Sequence, residues 1–308
     1  MSVDIEQVIA AVPAWRGRQV TAEEIVGGLT NRNFRVDVDG RPCFVRVPGA
    51  DTELLAVDRA NELANSRAAA EAGVGPRVLD HVPAWDVMVL EWLPGRTLTN
   101  EACLEPGMPG RIAGALRQLH AGPRFRDDFD MVDYAARYIG VVDERRIRIP
   151  DGYRAHLSLL PGIEAALSAR PLPTVPCHND LLAANYLDDG ERIWIVDYEY
   201  SGNADPTFEL GNTCLELGWD DTRIQALCAA YFGQANDVLL ARMRLQMIMS
   251  DVDWTLWAAI QAAVSTIDYD FWGWAEERWA RAAGAMDGPD LARWLRDARV
   301  SFSLADVG

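Results

Sequence analysis

The side chains best equipped for chemistry lie in one stretch, residues 176–200, which reads PCHNDLLAANYLDDGERIWIVDYEY. A short apolar lead runs into His178-Asn179-Asp180. Asn185 follows five residues after Asp180, and an apolar segment ends on Asp197 beyond a turn at Asp188-Asp189-Gly190. Phosphoryl transfer needs one carboxylate beside the attacking hydroxyl, plus an amide and a second carboxylate to hold Mg²⁺ on the phosphates. By type, order and spacing, Asp180 takes the first role and Asn185 and Asp197 take the metal. His178 shares this catalytic loop with Asp180, where it is expected to bond backbone and fix the loop. Glu199, two residues past Asp197 on an extended chain, is a candidate for the metal shell or the acceptor pocket, with a structural acid as the alternative.

Such a loop needs a nucleotide platform before it. Residues 34–38 and 44–47 are short β-type runs around Asp39-Gly40, a hairpin signal. Just before them, Gly27-Gly28-Leu29-Thr30-Asn31-Arg32-Asn33 forms a glycine-containing turn between strands, able to lay backbone N–H groups over phosphates. Asn31 is its nucleotide-side candidate. The sequence contains no lysine, so the cation that contacts the α- and β-phosphates has to be an arginine, and Arg46 stands on the strand after the hairpin. A helix expected over residues 53–72, rich in Ala, Leu and Glu and ended by Gly73, offers Glu62 as its partner. The apolar strand of residues 85–92 breaks at Pro94-Gly95 and suits a connector whose backbone, at Glu91 and Leu93, can pair with adenine.

Further elements follow from periodicity. Residues 5–12 read as a short helix stopped by Pro13. From Met108 the texture is helical: Ile112, Ala115, Leu116, Leu119 and His120 recur at helical spacing, with His120 read as packed or capping. Residues 153–169, 206–217, 222–232 and 238–264 continue the pattern. The whole predicts an α+β chain of two lobes, a nucleotide-binding β-rich lobe over residues 1–92 and a mainly helical lobe over 93–308 that carries the catalytic loop, metal site and acceptor pocket.

Composition narrows the partners. With 308 residues and 49% apolar content the chain can bury a large core. Its 46 acids against 29 bases leave a formal charge of −17, which argues against nucleic acid or an anionic membrane surface and favours a cationic small substrate; the same charge also serves solubility. Five scattered cysteines without a CxxC suggest neither a disulfide framework nor a zinc site, so a reducing cytoplasm is the expected compartment. No signal-like N-terminus and no apolar run of roughly 20 residues point to membrane insertion.

A second informative region is residues 253–279, DWTLWAAIQAAVSTIDYDFWGWAEERW. Trp254, Trp257 and Gln261 share one helical face at i, i+3 and i+7, and Tyr269, Phe271, Trp272 and Trp274 follow. By itself such a stripe is more often core than a cage for a quaternary ammonium, in which each ring contributes about 0.5–2 kcal/mol. The acids Asp251, Asp253, Asp268 and Asp270 suit a cationic pocket.

With these residues in view, the sequence resembles the choline/ethanolamine kinase family, within the wider aminoglycoside phosphotransferase and protein-kinase-like fold. The resemblance runs through GGLTNRNFRV, FVRVPG, EWLPGRTL, CHNDLLAANYL, IVDYEYSGNADPTFELGN and the tryptophan-rich segment. Its more specific parts are arginine at position 46, the run Asp197-Tyr198-Glu199-Tyr200, and the pattern of Trp254, Trp257, Gln261 and Ser265. The resemblance implies a protein-kinase-like fold, ATP and Mg²⁺ as cofactors, Asp180 as catalytic base, Asn185 and Asp197 on Mg²⁺, and Glu62 paired with Arg46. It also implies an ammonium pocket from Tyr200, Glu216, Trp254, Trp257, Tyr269 and Trp274. Two positions depart from the family pattern: Leu182 stands where choline kinases carry glutamine, and Glu209 where aspartate is usual. The expected activity is ATP-dependent phosphorylation of the hydroxyl of a small amino alcohol, choline first and ethanolamine next. Rivals are a kinase for another hydroxylated amine, such as thiamine or an aminoglycoside, the latter opposed by the tryptophan-rich tail, and a catalytically silent quaternary-amine-binding protein. The sequence leaves the oligomeric state undecided.

Overall fold

The structure is a computed structural model that describes residues 3–301 apart from residues 26, 50 and 51. The alternating segments of the first lobe form an antiparallel sheet of β1 (Val20–Ile25), β2 (Asn31–Val38), β3 (Arg41–Pro48), β4 (Val78–Val82) and β5 (Val87–Glu91), in the order β1-β2-β3-β5-β4. The β2–β3 hairpin turns on Asp39 and Gly40, with φ of 53° and 81°, and pairs Val38 with Arg41. Positive φ at both central residues gives the turn a twist that matches the strands. Val36, Val45 and Val89 face inward onto α1 (Ile5–Ala11), which contributes Val8, and onto Trp15.

The helix expected over residues 53–72 is shorter. A 3₁₀ turn covers Thr52–Leu55, Ala56 adopts φ of 60°, and α2 runs from Arg59 to Glu71 (Arg59–Glu71). Asp58 sets this start, because its carboxylate accepts the N–H groups of Ala60 and Asn61 and caps the helix there. A two-residue strand, β6 (Arg96–Thr97), follows the connector.

The second lobe contains α3 (Met108–His120), α4 (Met131–Arg145), α5 (Tyr153–His156), α6 (Leu160–Ser168), α7 (Pro206–Glu216), α8 (Asp221–Phe232), α9 (Asp237–Val264), α10 (Phe271–Met286) and α11 (Leu291–Asp297). Residues 153–169 do not form one helix. A 3₁₀ turn at Leu157–Leu159 separates α5 from α6, where Pro161 removes an N–H and is tolerated only in a first turn. Between α6 and α7 lie β7 (Val175–Cys177), β8 (Tyr186–Asp188), β9 (Ile193–Ile195) and β10 (Gly202–Ala204). β7 pairs with β10, while β8 pairs with β6 and β9. This β layer carries the residues with candidate chemistry. Helix α9, 28 residues long, is the spine of the lobe: its residues Leu245, Ile248, Val252, Leu256 and Ile260 are buried in one core cluster with α4, α6 and α10. Among the described residues no helix is long and apolar enough to cross a membrane.

Candidate active site

Between sheet and helices lies a cavity of about 530 Å³. Gly27, Gly28, Thr30 and Arg46 line it from the sheet side, and Glu91, Trp92 and Leu93 from the connector. Asp180, Asn185 and Asp197 form its floor, and Tyr200, Trp254, Trp257 and Trp274 its far wall. The Glu91 N–H is committed to the Arg77 carbonyl at 2.8 Å, and the Glu91 carboxylate to the Arg77 guanidinium at 3.0 Å.

The loop after β7 is held from beneath. Glu209, in the first turn of α7, accepts the His178 N–H at 2.8 Å with one oxygen and the Asn179 N–H at 2.7 Å with the other. His120 stands 3.5 Å behind this carboxylate and meets the Tyr231 hydroxyl at 2.6 Å. Burial alone would push the Glu209 carboxyl up; His120 and the loop amide outweigh it and hold the group below its ordinary value. Asn179 sits at φ of 68° and donates to the Tyr200 carbonyl at 3.1 Å, while the Leu181 N–H goes to Asn212 at 2.9 Å. The departure at Glu209 therefore leaves the loop fully supported. The departure at Leu182 gives the cleft an apolar lining residue.

His178 is a positioning residue. Its Nε2 donates to the Val196 carbonyl at 2.8 Å and its Nδ1 accepts the Asp180 N–H at 3.2 Å, so neither nitrogen is left for the cleft. Burial holds the imidazole below its ordinary value, consistent with this neutral tautomer. Asn185 donates to the Asp180 carbonyl at 2.7 Å, which commits its nitrogen and leaves its oxygen available. Asp180 is half-buried on the cleft floor; desolvation, and after it the charges of Glu216, Asp197 and Glu199, push its carboxyl well above the ordinary range, against the pull of Arg278.

An alternating chain of charges links the two lobes. Arg46 pairs with Glu62 at 2.5 Å and with Asp197 at 2.7 Å. Glu62 also meets Arg59 at 2.7 Å, and Arg59 reaches Glu199 at 3.1 Å. Glu199 accepts from the Thr30 hydroxyl at 2.7 Å and from the Asn31 amide at 3.0 Å. Glu199 is therefore a clasp between the glycine turn and the β9 segment, and the Asn31 side chain is spent on that clasp and on Arg59. The carboxylates of Glu62, Asp197 and Glu199 converge within 4.8 Å of one another. Asp197, at φ of 77°, has its carboxyl pushed up by burial; Arg46 pulls it down, and Glu199 and Glu62 push it further up.

The aromatic wall is built from ring edges set against ring faces. Tyr200 and Trp254 are 4.9 Å apart at 89°, Trp254 and Trp257 6.1 Å at 77°, and Trp257 and Trp274 5.5 Å at 89°. The Trp257 N–H donates to the Tyr200 hydroxyl at 2.7 Å. Two residues expected in this pocket stand elsewhere. Tyr269 is 46% exposed and rests on Phe271, outside the cleft lining. Glu216 lies behind the wall, held by both arms of Arg278 at 2.6 and 2.8 Å, and the Arg278 guanidinium covers the Trp274 ring at 4.1 Å. Asp251 is taken by Arg281 at 2.7 Å, and Asp253 is buried in the core. Arg278 and Arg59 were missed by sequence reasoning. Their signals were helical spacing, four residues after Trp274 and three before Glu62.

A twisted antiparallel sheet over a helical base, with charged loops converging in the cleft between them, defines a two-lobed, protein-kinase-like phosphotransferase. Residues 21–245 match the model of the phosphotransferase enzyme family. A choline/ethanolamine kinase family protein from Mesorhizobium loti is 36% identical, with a TM-score of 0.84 over 96% of this chain and 98% of that one. The chain thus belongs to the phosphotransferase enzyme family and, within it, to the choline/ethanolamine kinase family, whose members act on an alcohol acceptor. Ethanolamine kinase 2 of Mus musculus is 28% identical over 297 residues, covering 84% of this chain and 74% of its own. The choline kinase LicA from Streptococcus pneumoniae, 20% identical, shares the fold with a TM-score of 0.79 over 92% of this chain and 98% of its own.

Proposed function

We propose that the protein transfers the γ-phosphoryl group of ATP to the hydroxyl of a small amino alcohol, and that the acceptor is choline. The observation that carries the choice is an aromatic wall behind which the carboxylate of Glu216 is paired with Arg278. Four rings face the cleft beside Asp180, while the charge of Glu216 is matched by Arg278. Of the four carboxylates lining the cleft among the described residues, Glu91 is engaged by Arg77, Asp197 by Arg46, and Glu199 by Thr30, Asn31 and Arg59, while Asp180 is kept for the acceptor hydroxyl. A primary ammonium brings three N–H donors that need acceptors, whereas a quaternary ammonium brings none and is satisfied by ring faces. An aminoglycoside, with several ammonium groups, would need carboxylates where this wall has tryptophan.

The cleft fits Mg²⁺. Asn185 and Asp197 offer oxygen, the donor type this ion takes. Asp197 is also a half-buried carboxylate crowded by two others, which an added cation would favour in its ionised form. Held there, Mg²⁺ would neutralise charge developing on the phosphates. Arg46, fixed by Glu62, and the N–H groups of the glycine turn hold the nucleotide phosphates, and the connector at Glu91, Trp92 and Leu93 faces the base. Asp180 orients the acceptor hydroxyl. As the hydroxyl oxygen bonds to the γ-phosphorus, the bond from phosphorus to the bridging oxygen breaks, ADP leaves, and the proton passes to Asp180.

The test is steady-state ADP release with choline and with ethanolamine. Choline is expected to exceed ethanolamine in kcat/KM by about tenfold or more, equivalent to about 1.4 kcal/mol. Trp257→Ala is expected to raise the KM for choline about tenfold and leave the KM for ATP nearly unchanged. A ratio favouring ethanolamine would overturn the choice of acceptor.

A further inference from the structure

Gln261 is buried on the same face of α9 as Trp254 and Trp257, one turn beyond Trp257, yet it is not among the residues lining the cleft. Its Nε2 reaches the other lobe and donates to the Leu29 carbonyl at 3.1 Å. The Leu29 side chain lines the cleft and packs against the core cluster that contains Trp254 and Trp257. The next two residues of the glycine turn, Thr30 and Asn31, are held by Glu199. Three consecutive residues of the nucleotide turn are thus fixed by the helical lobe at two points, one on the acceptor helix and one beside Asp197. The turn has no slack: a Cβ at Gly28 would stand 2.3 Å from the Asn31 carbonyl oxygen, and one at Gly49 2.1 Å from that of Thr30.

We propose that Gln261 is a positioning residue that couples the two halves of the active site, holding the glycine turn over the nucleotide from the helix that presents the acceptor wall. The proposal rests on the assignment of that wall to a cationic acceptor. A cation seated against Trp254 and Trp257 fixes the face of α9 from which Gln261 projects, and so stabilises the closed turn. By reciprocity, a nucleotide under the closed turn tightens acceptor binding by the same factor. Glu199 anchors the turn whether or not the wall is filled; Gln261 makes the anchoring sensitive to it.

The experiment measures binding of the Mg²⁺ complex of a non-hydrolysable ATP analogue to the full chain by calorimetry, with and without saturating choline, in the wild type, Gln261→Leu and Gln261→Glu. Wild-type protein is expected to bind the analogue about fivefold or more tightly when choline is present. Gln261→Leu is expected to weaken the analogue about fivefold without choline, as loss of one hydrogen bond of about 1 kcal/mol would do. It should also abolish the tightening by choline, while choline alone binds within about twofold of wild type. Gln261→Glu, which keeps the side-chain length but turns an oxygen toward the Leu29 carbonyl, is expected to behave the same way and serves if the leucine variant does not fold. Unchanged analogue affinity in both variants, or equal loss of analogue and choline affinity, would overturn the coupling role. Wild-type protein that binds the analogue but not choline would instead overturn the acceptor assignment, while the analogue arm still decides whether Gln261 holds the turn.

Discussion

Asp253 and Glu209 are both fully buried acids, and their surroundings give them opposite behaviour. Glu209 accepts two loop N–H groups and faces His120, so it is held ionised. Among the described residues Asp253 has no hydrogen-bond partner for either oxygen, and burial together with the charges of Asp130 and Glu164 raises its pKa well above the ordinary range. A carboxyl whose folded value lies above its unfolded value contributes stability that is present in full below the unfolded value, about 4, and is lost as pH rises through the folded one. Asp253→Asn, neutral at every pH, should remove this dependence. Its thermal midpoint relative to wild type is expected to be a few degrees more favourable at about pH 8 than at about pH 4. A difference between the two proteins that stays constant across that range in calorimetry would show that Asp253 is ionised or partnered in the folded chain.

At the scale of elements, α7 is the support of the catalytic loop, and its effect on chemistry is separable from nucleotide binding. Glu209→Gln replaces one accepting oxygen by a donor that faces a buried N–H, leaving that group unpaired at a cost of about 1–3 kcal/mol. Because the loop carries Asp180, kcat should fall about tenfold or more with the KM for ATP little changed, and Glu209→Asp, which keeps the charge, should recover part of it. Equal loss in both variants would assign Glu209 to general stability. Much at this scale was legible in the sequence. The hairpin at Asp39-Gly40, the run from His178 to Asp197 and the shared face of Trp254 and Trp257 are local patterns, and local patterns survive folding. What was not legible depended on competition or distance. Asp58 capped α2 six residues later than composition suggested, and in α4 the buried stripe of Met131, Ala135, Tyr138 and Val142 is blurred by Val132, Tyr134, Ile139 and Val141 between its members. Glu199 and Glu216 found partners 169 and 62 residues away, in Thr30 and Arg278, which no spacing rule reaches.

Across the whole molecule, the two lobes meet through polar contacts as well as through the connector. Helix α2 belongs to the sheet lobe by sequence, but its Asn61 and Asn65 donate to the Ser201 carbonyl at 2.8 and 3.1 Å, and Asn65 also accepts the Arg126 N–H at 2.9 Å. This docking places Glu62 between Arg46 and Arg59, so Arg46, Asp197 and the glycine turn share one network. The acceptor wall joins it through Gln261. With a formal charge of −17, the surface potential favours approach of a small cation to the cleft. The central claim, phosphorylation of an amino-alcohol hydroxyl with Asp180 as proton acceptor, is tested most directly by ³¹P NMR of the protein incubated with ATP, Mg²⁺ and choline. The expected result is a new phosphate-ester resonance growing in step with ADP, and its loss in an Asp180→Ala variant whose circular dichroism matches wild type. No ester from any amino alcohol, or near wild-type turnover in Asp180→Ala, would contradict the account.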